Sequence, residues 1–141
     1  MPRVRNAKII RAGPLKFNFL ISIEEADVIT QQQQPDAIID WCHRHGATNV
    51  ILKLGDAGAL ASDGNRREPV AGHVVKFVDG TGAGDCFAGA LVARMAAGDD
   101  FWQALRYTNA AAALTTTGYG AVTPLPRPEA VRRLLAYAIG T

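Results

Sequence analysis

Val74 to Val78 is a short β-branched stretch that reads as a strand, and Asp79-Gly80-Thr81-Gly82-Ala83-Gly84-Asp85 follows it without a gap. From Cys86 to Ala97 the chain is largely apolar, with Phe87, Leu91 and Met95 four apart, the spacing of one helix face. The order is therefore strand, glycine-rich turn, helix, with a carboxylate at the helix start. Such a turn can aim several backbone N–H groups at one point, where the helix dipole also favours negative charge. Glycines let the backbone adopt the required conformations and let a phosphate approach closely. Asp85 would repel a passively bound anion. It makes sense as a general base beside a phosphoryl group in transfer. The alternative is an ordinary turn with Asp85 serving as a helix N-cap.

Two common glycine motifs are excluded. No Lys follows the glycines, as a P-loop requires, and the third glycine of a dinucleotide fingerprint is replaced by Asp85. A second glycine pair, in Lys53-Leu54-Gly55-Asp56-Ala57-Gly58-Ala59, follows the apolar run Asn49 to Leu54, which reads as a buried parallel strand. Ligands of open α/β sheets bind outside the carboxyl ends of strands, so this loop stands where a ligand is expected. Lys53 could offer its charge to a phosphate. A plain strand-to-strand turn is the other reading.

The rest of the chain alternates strands and helices. Phe17 to Ile21 reads as a strand, and Ser22 to Thr30 as a helix whose capping box pairs Ser22 with Glu25. Gln31 to Gln34 reads as a loop, and Pro35 as the first turn of a helix ending at His45-Gly46. Ala59 to Ser62 and Val70 to Val78 read as strands about the turn Asp63-Gly64-Asn65, and Phe101 to Thr116 and Arg127 to Ala138 as helices. This pattern predicts an α/β layered domain with a mostly parallel sheet. The first sixteen residues are basic and without a clear period.

Composition bounds the function. The 141 residues suffice for one domain with a real core, and the formal net charge of +2 gives no basis for nucleic-acid or membrane-surface binding. Cys42 and Cys86 are isolated thiols, which argues against a disulfide framework or a zinc site. No apolar run is long enough to span a membrane, and the basic N-terminus lacks the core of a signal peptide, so a cytoplasmic location is expected. His43, His45 and His73 read as structural, and Arg66-Arg67-Glu68 as a solvated turn.

The run Asp79 to Phe87 resembles the C-terminal signature of the ribokinase-like (PfkB) sugar kinases. Arg106-Tyr107-Thr108-Asn109-Ala110-Ala111-Ala112-Ala113-Leu114 and Thr117-Gly118-Tyr119-Gly120-Ala121-Val122 look most like the 2-keto-3-deoxygluconate kinase branch. The resemblance implies a ribokinase-like three-layer α/β/α fold. Residues 17–141 would form its C-terminal, nucleotide-binding and catalytic part, and residues 1–16 match poorly. It also implies phosphoryl transfer from ATP to the hydroxyl of a small sugar substrate, with Mg²⁺ as cofactor. Asp85 would take the hydroxyl proton, with Gly82, Ala83 and Gly84 as an anion hole. Lys53, Gly55, Gly58, Thr81, Gly82, Gly84 and Asn109 would bind the nucleotide. Glu25 and Asp79 would organise the metal, and backbone carbonyls of the Thr115 to Gly120 region, with the loop around Asp79, could hold K⁺.

The sequence departs from the family pattern in three ways. Gly80 stands where Thr or Ala is common, Ser22 replaces the Asn of an Asn-x-x-Glu motif, and most sugar contacts lie in an N-terminal half that is not present. A truncated gene product is the simplest expectation. Three readings stay open: a sugar kinase part, of this branch or a fragment of another PfkB kinase such as a fructokinase or ribokinase, that needs the rest of the enzyme; a non-catalytic nucleotide-binding remnant; and an unproductive fragment whose uncovered surface promotes association. Homo-oligomerisation through an exposed apolar face goes with the second.

Overall fold

The capping box expected at Ser22 is formed in the computed structural model of the chain, which describes residues 8–11 and 17–139. The Ser22 hydroxyl accepts the Glu25 N–H, and the Glu25 carboxylate accepts the Ser22 N–H and hydroxyl. This switch of backbone direction turns strand β2 (Phe17–Ser22) into helix α1 (Ile23–Thr30). Helix α2 (Pro35–Arg44) begins with proline at its first position, where no N–H is needed. The chain then returns as β3 (Asn49–Lys53), parallel to β2, with Leu20 opposite Ile51 and Ser22 opposite Lys53. The described residues divide into two compact units, one ending at Ala71 and one beginning at Gly72.

The first unit is a sheet with a helix pair. Its strand order is β1 (Lys8–Arg11), β2, β3, β4 (Ala59–Ser62) and β5 (Arg67–Val70). Ile21, Val50 and Leu52 pack against Ala26, Ile38, Ile39 and Cys42 of the helices, all essentially inaccessible. Each such Leu, Ile or Val contributes about 1.5–3 kcal/mol. On the opposite sheet face Leu20, Ile51 and Ala61 are equally buried, and the Asn49 amide donates to Asn18 Oδ1 at 2.6 Å.

The α/β class holds, but the described sheet is mixed and not mostly parallel: only β2–β3 is parallel, and the other three pairings are antiparallel. The cause is connection length. Leu54 to Gly58 and Asp63 to Arg66 are hairpin-sized loops, and only the α1–α2 crossover is long enough for a parallel return. β1 falls within the segment that gave no period. Arg67 is also more than part of a solvated turn, since its guanidinium binds Asp36 and Asp40 of α2 at 2.8 and 2.5 Å and ties β5 to that helix.

The second unit is helical. It contains α3 (Ala83–Ala96), α4 (Phe101–Thr115) and α5 (Pro128–Ile139). Ala110, Ala111 and Val131 are its buried centre, flanked by Cys86, Ala90, Tyr107, Leu114, Leu134 and Leu135. The alanines let α3 and α4 approach closely. The expected strand from Val70 to Val78 is confined to β5: residues 71–80 have no regular secondary structure, Val74 is fully exposed and Phe77 is 67% exposed. The reason lies in the hydrogen bonds. The N–H groups of Val78 and Asp79 both donate to the Thr116 carbonyl at the end of α4, at 2.7 and 3.1 Å, so no ladder is built from them. β-Propensity without a neighbouring strand does not make one.

Candidate active site

Asp79 organises the glycine turn from inside. Its Oδ1 accepts the Thr81 N–H at 2.9 Å and the Thr81 hydroxyl at 2.7 Å, and its Oδ2 accepts the Gly120 N–H at 3.0 Å. These donors, Gly120 first, hold the Asp79 carboxyl below the usual carboxylate range. Gly82 is the N-cap of α3 at φ +79°, a left-handed conformation that costs a side chain dearly. It has no side chain with which to cap, and none could be added: an ideal Cβ there would lie 2.8 Å from the Ala121 Cα and 2.9 Å from its Cβ.

The first turn of α3 follows from this. The Ala83 N–H donates to the Gly80 carbonyl at 3.2 Å, and the Cys86 N–H to the Gly82 carbonyl at 2.9 Å, which starts the helical ladder. No backbone carbonyl among the described residues accepts the Gly84 N–H, as expected for a first-turn donor. Asp85 is exposed, at the third position of the helix. With Gly82, Cys86, Ala121, Arg94 and Tyr107 it lines a cleft of about 710 Å³. A carboxylate beside outward N–H donors at a helix start can receive a proton while the donors hold an anion.

Asn109 is half-buried on α4 and is not part of that cleft. Tyr107 and Ala111, which line it, are four residues apart, so a residue midway between them faces the other way. Gly82, Ala83, Gly84, Asp85, Thr81 and Asp79 are therefore brought into one turn, and Asn109 is not.

In the first unit the expected residues gather at one end of the sheet. Ser22 and Lys53 are register partners at the carboxyl ends of the two parallel strands. Glu25 lies one turn beyond Ser22, and Gly55 and Gly58 bracket a 3₁₀ turn beyond Lys53. That turn is closed by Leu54 N–H to the Gly58 carbonyl at 2.8 Å and Gly58 N–H to the Gly55 carbonyl at 3.0 Å. Glu25 Oε2 serves the capping box, but Oε1 is buried without a hydrogen-bond partner. An orphaned carboxylate oxygen suits a cation or its water, and Glu25 fits a metal on that ground. Among the described residues no three His, Cys, Asp or Glu side chains converge as a metal cluster.

His43 is structural, as expected. Its Nδ1 lies 2.9 Å from the Ala47 carbonyl and so carries the proton, which leaves Nε2 to accept from the Ser62 hydroxyl at 2.7 Å. The resemblance had placed the Thr115 to Gly120 region beside the Asp79 loop; what sequence reasoning missed is that Gly120 gives its N–H to Asp79 and that Ala121 lies against Gly82. The small residues after α4 are the only trace of these contacts in the sequence.

Comparison with known proteins shows the family. Residues 15–128 match the model of the pfkB family carbohydrate kinases, and the chain belongs to that family. It is 37% identical over 131 residues to a ribokinase of Bacillus subtilis, covering 89% of the chain and 44% of that protein. A ribokinase of Arabidopsis thaliana is 35% identical over 111 residues, covering 76% and 29%. A 2-dehydro-3-deoxygluconokinase of B. subtilis is 31% identical over 119 residues, covering 84% and 37%. The 2-keto-3-deoxygluconate branch is thus one of several at similar identity. Among solved structures, an E. coli protein described as a ribokinase II, in complex with ATP and Mg²⁺, superposes with a TM-score of 0.79 at 32% identity. It is matched over 85% of this chain and 39% of that one. A double mutant of the Vibrio cholerae O395 fructokinase, bound to fructose, ADP and potassium ion, gives 0.76 at 32%, over 84% and 40%. The chain spans less than half the length of each of these relatives. No helix among the described residues is long and apolar enough to cross a membrane.

Proposed function

We propose that this chain carries the phosphoryl-transfer part of an ATP-dependent kinase acting on a sugar or sugar-acid hydroxyl, of the 2-keto-3-deoxygluconate kinase type. The observation that supports it most is the start of α3, where Asp85 stands exposed on the wall of a cleft one turn from a glycine N-cap. Asp85 takes the proton of the attacking hydroxyl. The N–H groups of Gly82, Ala83 and Gly84 donate to the oxygens of the transferring group. Ala83 contributes least, since its N–H already has the Gly80 carbonyl. When bound, Mg·ATP supplies the phosphoryl group and neutralises part of its charge. Glu25 holds the metal through water, and Lys53, Gly55, Gly58, Thr81 and Asn109 contact the nucleotide. Asp79, its oxygens already taken by three donors, acts on the phosphate through the turn. A K⁺ ion held by carbonyls of the loop after α4 and a cytoplasmic location belong to the same reading, and homo-oligomers to the second.

A second reading is favoured by one number. The chain spans 29% to 44% of the curated relatives named above, which suits a nucleotide-binding remnant, or a fragment of a ribokinase or fructokinase, that turns over nothing alone. The assay is ADP release with 2-keto-3-deoxygluconate, ribose and fructose as acceptors. Asp85→Asn should lower turnover by ~100-fold or more. Unchanged turnover in that variant removes Asp85 from the chemistry, and no turnover by the parent chain with any acceptor favours the remnant.

A further inference from the structure

We infer that Ala121 is a positioning residue for the Gly82–Asp85 turn, and that the loop after α4 sets the aim of the phosphate-binding N–H groups. The inference rests on the phosphoryl-transfer reading and adds to it a residue outside the glycine motif. An N-cap normally fixes its helix start through a side-chain oxygen. Gly82 has none, and α3 has no side-chain cap, so its first turn is located by other contacts.

Those contacts come from residues 116–121. The Thr116 carbonyl accepts the N–H groups of Val78 and Asp79, which anchors the chain just before the turn. The Gly120 N–H reaches Asp79 Oδ2 at 3.0 Å, while Oδ1 of the same carboxylate holds Thr81. One carboxylate thus binds the loop on one oxygen and the turn on the other. The next residue, Ala121, lies against Gly82 so closely that a Cβ on Gly82 would overlap both its Cα and its methyl group. The loop is itself tightly folded, with Pro124 Cβ 2.9 Å from where a Cβ on Gly118 would stand. Tyr119 is 80% exposed and Val122 76% exposed, so burial of its own side chains does not hold the loop in place. Backbone contacts with the turn do.

Ala121 is exposed on its outer side, but its Cα and methyl group face Gly82, so a β-branched side chain at position 121 adds carbon beside the Gly82 backbone. Displacing Gly82 rotates the peptide planes that follow it, and with them the Ala83 and Gly84 N–H groups. Misplacement of binding groups by about an ångström costs on the order of 100-fold in well-aligned sites.

The test compares the parent chain with Ala121→Val, using Tyr137→Ala, an exposed position on α5 outside the loop, as the control. Amide hydrogen exchange and ¹H–¹⁵N spectra report on Gly82 to Asp85 with no ligand present, calorimetry measures Mg·ADP binding, and thermal unfolding reports global stability. Ala121→Val is expected to shift the Gly82 to Asp85 amides and speed their exchange, and to weaken Mg·ADP by roughly tenfold or more. Its melting temperature should stay near that of the parent, and Tyr137→Ala should leave the amides and the affinity unchanged. Turn amides that do not respond to Ala121→Val overturn the inference, whatever the nucleotide does. So does a loss of affinity that tracks a general loss of stability. Amides that respond in Ala121→Val while its Mg·ADP affinity stays that of the parent overturn the role of the loop in phosphate binding, whereas a parent chain that binds no Mg·ADP counts against nucleotide binding by the chain alone and not against the coupling of loop and turn.

Discussion

The two thiols differ only in surroundings, and their surroundings predict opposite reactivity. Cys42 is 2% exposed among Ile21, Ile38, Ile39 and Val50, and burial pushes its pKa up to about 11. At pH 8 roughly one molecule in a thousand then carries the thiolate, the only form that attacks an electrophile. Cys86 is half-buried on the wall of the cleft beside Asp85. Iodoacetamide at pH 8 should therefore label Cys86 in the folded chain and spare Cys42, with both labelled in urea. Peptide mass analysis reads the ratio directly, and equal labelling of the native chain would contradict the packing described around α2. Neither outcome was legible from the sequence. Both cysteines follow apolar or acidic neighbours, and only the fold separates a core position from a cleft wall.

At the scale of the element, hydrogen-bonded ends were legible and strand partners were not. The pairs Ser22–Glu25 and Asp100–Gln103 both close as capping boxes, because the partners lie within three residues and need nothing from the rest of the chain. The Asp100 box sits at the start of α4, away from the cleft. Replacing Asp100 with Ala should cost ~1 kcal/mol of unfolding free energy, read as a lower urea midpoint at unchanged slope. A loss near zero would mean that packing of Phe101 and Leu105 alone fixes that end. Strands depend on distant residues instead. Val74 to Val78 has the composition of a strand, yet its last N–H and that of Asp79 go to Thr116, about forty residues on. The reverse happened at Lys8–Arg11, where an unremarkable basic stretch becomes a strand because β2 offers it an edge. The parallel sheet was over-read for the same reason. An apolar run such as Asn49 to Lys53 records burial on both faces, while the length of the loops beside it decides the direction of its neighbours.

For the whole molecule the decisive quantity is what the chain binds by itself. The family match from residue 15 to 128 runs through both compact units, so the chain is not one element of the kinase fold but a large connected part of it. Its candidate residues fall into two groups, Glu25, Lys53, Gly55 and Gly58 in the first unit and Thr81 to Asp85 with Asn109 in the second. A ligand that binds only the folded chain must stabilise it by mass action. Mg·ADP at a hundred times its dissociation constant would add ~2.7 kcal/mol. Thermal unfolding with and without Mg·ADP measures this, and Gly82→Val supplies the control, each variant compared with its own unliganded state. The Val side chain meets the Ala121 backbone and a positive φ at once, so the turn cannot keep its conformation. A rise in the melting temperature that disappears in Gly82→Val assigns the binding to the glycine turn. A rise that survives in Gly82→Val moves the nucleotide elsewhere, and no rise in the parent chain means that the turn, though folded, binds no nucleotide by itself.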